Sequence, residues 1–233
     1  MNFTTDLTGI YLALSGLVLL WAFQGRHWRV LIKPSVINSV LGGIVALGVA
    51  WNIKATLPGM TAEAMVGLSF QFFGASLLVA MYGVRPAIVM LAGVTSIIGL
   101  ISSWSLLESL RQFLVLGAFP ALTACITMRL ISRYLPKHLF IFILGHGYVA
   151  GVMSIIVPSI VLMFWHQAFF PSTWGLSMDL VDWFVTLVIL SFTEGSLSGM
   201  LLAVFVIYRP HWVPSFIDAE YLKGQSGKST KMP

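Results

Sequence analysis

Seven apolar stretches of spanning or near-spanning length follow one another along this chain, separated by short polar segments. They cover residues 7–23, 37–53, 65–82, 87–103, 113–128, 139–165 and 180–207. In hydrocarbon every backbone N–H and C=O must find a partner within the protein, and runs of this length satisfy that as helices. The chain is therefore expected to be an all-α integral membrane protein of about seven transmembrane helices. Residues 1–221 would form one polytopic domain, with residues 222–233 a polar, disordered cytoplasmic tail. The third and fourth stretches meet at the tight turn Gly83-Val84-Arg85-Pro86, and Pro158 gives the sixth a reason to bend.

Charge sets the expected orientation. Of the 13 Lys and Arg residues, eleven fall in loops on one side or after the last stretch, and only Lys54 and Arg111 fall on the other. The positive-inside rule then places the C-terminus in the cytoplasm and the N-terminus outside. The same rule accounts for the formal net charge of +5 without nucleic-acid binding. Charged residues make up only 9% of the chain and hydrophobic residues 58%, which excludes a soluble catalytic domain. The single cysteine excludes an intrachain disulfide.

Against this background Glu194 stands out, because a carboxylate within a hydrocarbon-spanning helix costs about 3 kcal/mol. It needs a water-filled cavity, a partner or a proton. Ser191, Glu194, Gly195 and Ser198 share one helical face through i, i+3 and i+4 spacing. That face reads as the polar wall of a substrate cavity, or as a buried carboxylate bonded to neighbouring hydroxyls. Gly195 and Gly199 form a small-residue step that admits another helix. In the sixth stretch, His146 sits within GHGYVAG, where Gly145, Gly147 and Gly151 predict close helix packing and the imidazole could relay protons or bind a metal. Gln71, near Ser69 and Gly74, is expected to face protein rather than lipid.

Three enzymatic or photochemical motifs fail on inspection. The tail sequence GQSGKST resembles a phosphate loop, but Leu222 stands where its first glycine belongs. No lysine lies between Lys137 and Lys223, so the last helix offers no Schiff-base amine for retinal. An intramembrane serine protease with Ser198 as nucleophile and His146 as base lacks the expected preceding glycine, since Ser196 is there. The methionines are scattered, and neither a Cys–His cluster nor an H-x-x-x-H pair suggests a metal site by spacing.

Two segments carry a family resemblance. The ending EGSLSGMLLAVFVIYRPHWVPSFIDAEYL, from Glu194, and RLISRYLPKHLFIFILGHGYVAG, at 129–151, resemble membrane proteins related to the CbiM cobalt-transport family. The segment 67–83 and the Val-Arg-Pro turn are weaker matches. Members are substrate-capturing permease subunits of energy-coupling factor ABC transporters in bacterial and archaeal plasma membranes. The resemblance implies transport of a small solute or of Co2+ or Ni2+, with no resident cofactor. It also implies two kinds of partner, a transmembrane coupling subunit and ABC ATPases that hydrolyse ATP. Arg129, Arg133 and Arg209 would face the coupling subunit. In cobalt and nickel members the metal is held by the N-terminal amine, a histidine at the second position and a further histidine. Here Asn2 and Gln71 stand at those histidine positions, so the implied ligand set is Met1, Asn2 and Gln71. The implied substrate site adds Glu194, Ser191, Ser198 and His146. A non-transporting membrane assembly protein, whose buried polar groups only cement helices, is the alternative from another class.

Overall fold

The computed structural model describes residues 3–24, 27–34, 36–52, 74–169 and 180–216, and every regular element among them is helical. Helix α1 spans Phe3–Phe23, and a 3-10 turn at His27–Ile32 leads to α2, Ile37–Asn52. Two helices separated by one residue follow, α3 at Ala75–Tyr82 and α4 at Val84–Ile101. Helix α5 runs over Leu106–Tyr134, α6 starts at Leu139 and ends at Phe169, and α7 covers Leu180–Tyr208. A 3-10 turn at Pro210–Trp212 then carries the chain back against α3.

Four of these helices contain segments long and apolar enough to cross a membrane: Val84–Ile101, Leu106–Tyr134, Leu139–Trp165 and Trp183–Tyr208. The apolar parts of α1 and α2 are shorter, at Gly9–Phe23 and Ile37–Trp51. The molecule is thus an all-helical membrane protein, and its surface agrees. Leu17, Leu20, Val45, Val49, Phe164, Phe192 and Ile207 all project outward, where a water-soluble protein could not sustain such a density of apolar side chains.

The third predicted span departs from expectation. Instead of one helix through residues 65–82, the chain turns at Gly74, whose φ of +94° is left-handed, and α3 begins only at Ala75. Residues 65–73 lie outside the described residues. Helix α3 has eight residues, and seven of them are buried. It packs against α4, α5, α6 and α7 together, which makes this short element the centre of the molecule. Its C-terminal boundary follows the sequence reading: Gly83, at φ +87° and ψ 165°, makes the turn, and Val84, Arg85 and Pro86 already belong to the first turn of α4. Proline is tolerated there because the first-turn N–H groups have no helical acceptor.

The glycines of α6 and α7 do what their spacing predicts. A Cβ on Gly147 would lie 2.7 Å from the Gly199 Cα, and one on Gly151 would lie 2.8 Å from the Gly195 Cα. Two pairs, each a helical turn apart, therefore bring the antiparallel backbones into contact. Both α5 and α6 also contain a π-helical stretch, at Phe113–Ala118 and Phe142–Val149. The second carries His146 and two of the three glycines.

Basic residues gather at one end of the bundle. Arg85 donates to the Gln24 carbonyl at 2.9 Å and stacks on Trp21, while Arg209 stacks on Trp212. The opposite connection, between α4 and α5, holds the ion pair Arg111–Glu108 at 2.7 Å.

Candidate functional site

Glu194 is the fifteenth of the 29 residues of α7, about 21 Å along the helix axis from either end. It is 0% exposed. A carboxylate at that depth requires donors, and α3 supplies them. The Gly74 N–H donates to both carboxylate oxygens, at 3.1 and 3.3 Å, and the Ser76 hydroxyl donates to Oε1 at 2.5 Å. Ser198, one turn along α7, reaches Oε1 at 3.1 Å and lies 2.9 Å from the Ser76 hydroxyl. Because Ser76 gives its single proton to the carboxylate, the one proton of Ser198 is shared between Oε1 and the Ser76 oxygen.

The arrangement has a local cause. The first N–H groups of any helix lack acceptors and carry the positive end of the helix dipole. Starting α3 at Ala75 places such an end in the middle of the bundle, and Glu194 closes it from another helix. The two buried polar features, an open helix end and a mid-helix carboxylate, resolve one another.

A cavity of about 420 Å3 opens between α2, α3 and α7 beside this cradle. Glu194, Ser198 and Gly74 border one part of it. Another polar group is the Tyr82 hydroxyl, which donates to the Ser39 hydroxyl at 2.7 Å, while Ser39 donates to the Val36 carbonyl at 2.7 Å. Apolar residues such as Leu47, Leu78 and Leu201 line most of the rest. The chamber suits a small, largely apolar solute with a few oriented polar groups.

The sequence-predicted residues separate into groups. Glu194 and Ser198 meet in the cradle. Ser191 is buried on the same helix but donates to the Val188 carbonyl of its own preceding turn at 3.0 Å, so it does not extend the cluster. His146 borders a different cavity, with Nε2 2.9 Å from the Ser132 hydroxyl and its ring 4.8 Å from that of Phe142. The Ser198–His146 pair that a serine protease would need is not formed, since each side chain has another partner. Met1, Asn2 and Gln71 lie outside the described residues. Among the described residues no group of three or more His, Cys, Asp or Glu side chains could hold a metal ion.

Gly74 and Ser76 are the site residues that sequence reasoning passed over. Their signal was present but faint: a Gly-Ala-Ser step inside an otherwise apolar run, a place where a helix can start.

Compared with known protein families, curated proteins and solved structures, the chain matches none.

Proposed function

We propose that this chain is the substrate-capturing subunit of a membrane transporter whose cavity takes up a small solute, the CbiM-like segments alone extending the substrate class to a transition-metal ion such as Co2+ or Ni2+. One observation carries the reading: a cavity of about 420 Å3 adjoins the start of α3, whose open N-terminal end lies mid-bundle and meets a buried carboxylate. Interrupted helices with exposed termini near the bilayer midplane are how transporters hold polar substrate groups away from water. In this reading the basic end of the bundle is cytoplasmic and the N-terminus is outside. All seven apolar stretches cross the plasma membrane of a bacterium or archaeon. A coupling subunit and ATPases provide the energy, as the CbiM-like segments imply.

A second reading has its own support. Both oxygens of Glu194 already have an internal donor, which is what a purely structural carboxylate in an assembly protein would show. The two readings part at Gly42, which borders the cavity and where an added Cβ meets nothing within 4 Å. Replacing Gly42 by Trp places a large side chain at the rim of the chamber, on α2 and away from the α3 and α7 residues of the cradle. Uptake assays in cells expressing the coupling subunit and ATPases, with radiolabelled Co2+, Ni2+ and a panel of small solutes, would show a loss of at least about tenfold for the true substrate. Unchanged uptake of every compound that the unaltered protein carries would defeat the transport reading at this cavity.

A further inference from the structure

On the basic end of the bundle a second cavity, of about 450 Å3, opens between α3, α5, α6 and the segment after α7. The charged side chains that line it are cationic. Arg129, Ser132 and Arg133 come from successive positions on one face of α5, and His146 and Ser215 join them, with no carboxylate among the described lining residues. Among the described residues neither arginine forms an ion pair with a carboxylate, and the Arg111–Glu108 pair lies at the other end of the bundle. Both arginines are exposed. Arg133 stacks on the Tyr134 ring at 5.7 Å, and Ser132 is held by His146. The floor beneath them is apolar, formed by Val79, Val84, Met128 and Phe142.

We propose that this groove binds an anionic phospholipid, with the phosphate on Arg129 and Arg133 and an acyl chain along the apolar floor. Two guanidiniums one helical turn apart can both face a single phosphate, and Arg presents paired donors suited to its oxygens. Continuity with the outer surface favours a lipid over a free phosphate. Leu130 and Tyr134, on the same end of α5, are 50% and 74% exposed, so the groove lies beside apolar surface that faces the acyl chains. Basic pockets between helices at the membrane boundary recognise lipid headgroups by this combination. The inference is independent of what the Glu194 cavity carries.

The test is native mass spectrometry of the full-length protein in detergent with added phosphatidylglycerol or phosphatidylcholine. The unaltered protein is expected to retain phosphatidylglycerol preferentially, and Arg129→Gln with Arg133→Gln to lose that preference by about tenfold or more. Arg209→Gln, outside the groove, is expected to keep it. Cys125 also lines the groove, and Cys125→Phe, which crowds it and leaves both arginines, is expected to weaken retention without changing elution volume. Equal retention of the two lipids, or retention unchanged in the double variant, overturns the proposal. Displacement of the lipid by millimolar inorganic phosphate assigns the groove to a soluble phosphate compound and also overturns it. So does loss of a copurifying protein in the double variant while lipid retention is unaltered.

Discussion

The amide of Gly74 donates to the carboxylate of Glu194 at 3.1 Å across 120 residues of sequence, joining the start of α3 to the midpoint of α7. This contact explains how an apolar helix keeps an acid at its centre. An unpaired carboxylate there would be costly, and so would an open helix end. Each provides what the other lacks, and Ser76 and Ser198 complete the shell.

Replacing Glu194 by Ala should therefore hurt twice, stranding the Gly74 N–H and leaving two hydroxyls to find other acceptors. We expect a loss of about 2–4 kcal/mol in stability, from one or two buried groups left unsatisfied. Glu194→Gln keeps one acceptor oxygen but turns an NH2 toward a donor, so its cost should be smaller, about 1–2 kcal/mol. Thermal unfolding in detergent of the two variants checks the order; equal stability of Ala, Gln and the unaltered protein would remove the cradle's structural role.

Much of this was legible beforehand, and the missing part has a definite character. Glu194 announced itself because charge is conspicuous in an apolar helix, and Ser198 followed from i+4 spacing. The glycine ladder was readable on both helices, since close packing needs small residues at a four-residue interval. Neither Gly74 nor Ser76 could be assigned to Glu194, because which faces of two distant helices meet is decided by the whole bundle, not by local periodicity. The π-helical stretch around His146 left no compositional trace either; it differs from an α-helix only in which carbonyl each amide chooses. The expectation of a single uninterrupted third span failed for a related reason, as mean hydropathy does not register one left-handed residue.

The α6–α7 contact gives a sharper test than the cradle. Gly151→Ala places a methyl 2.8 Å from the Gly195 Cα, where the obstacle is backbone rather than a side chain that can turn away. The helices must separate, at a cost of about 1–3 kcal/mol. Gly93→Ala on α4, where nothing lies within 4 Å, should be neutral or slightly stabilising by comparison. Paired thermal melts decide it, and similar melting points for the two variants would contradict the packing.

Gly83 isolates a conformational effect. An added Cβ there would meet nothing within 4 Å, so Gly83→Ala introduces no clash. What it does impose is φ +87° with ψ 165° on a residue bearing a side chain. That region is essentially reserved for glycine, and the expected penalty is about 1–3 kcal/mol. A denaturant titration showing no loss would mean that the α3–α4 turn relaxes freely into another shape.

Helix α3 is held at its other end too, and that makes a test of how the two ends cooperate. The final carbonyls of a helix have no intrahelical donors. Here Gly83 N–H takes the Val79 carbonyl, the Ser215 hydroxyl donates to the Ala80 carbonyl, and the Ser215 N–H donates to the Met81 carbonyl at 3.3 Å. Ser215 lies in the segment directly after α7, so one stretch of chain grips both ends of an eight-residue helix. Ser215→Ala removes the hydroxyl bond and should cost about 0.5–1.5 kcal/mol. The ends are about 12 Å apart, a distance at which unconnected substitutions add. If the grip is mechanical, releasing one end lets α3 tilt and weakens the other, and Glu194→Gln with Ser215→Ala should differ from the sum of the single variants by about 0.5 kcal/mol or more. Strict additivity in that double-mutant cycle would show the two clamps to be independent, and α3 to be fixed by its packing against α4, α5 and α6 alone.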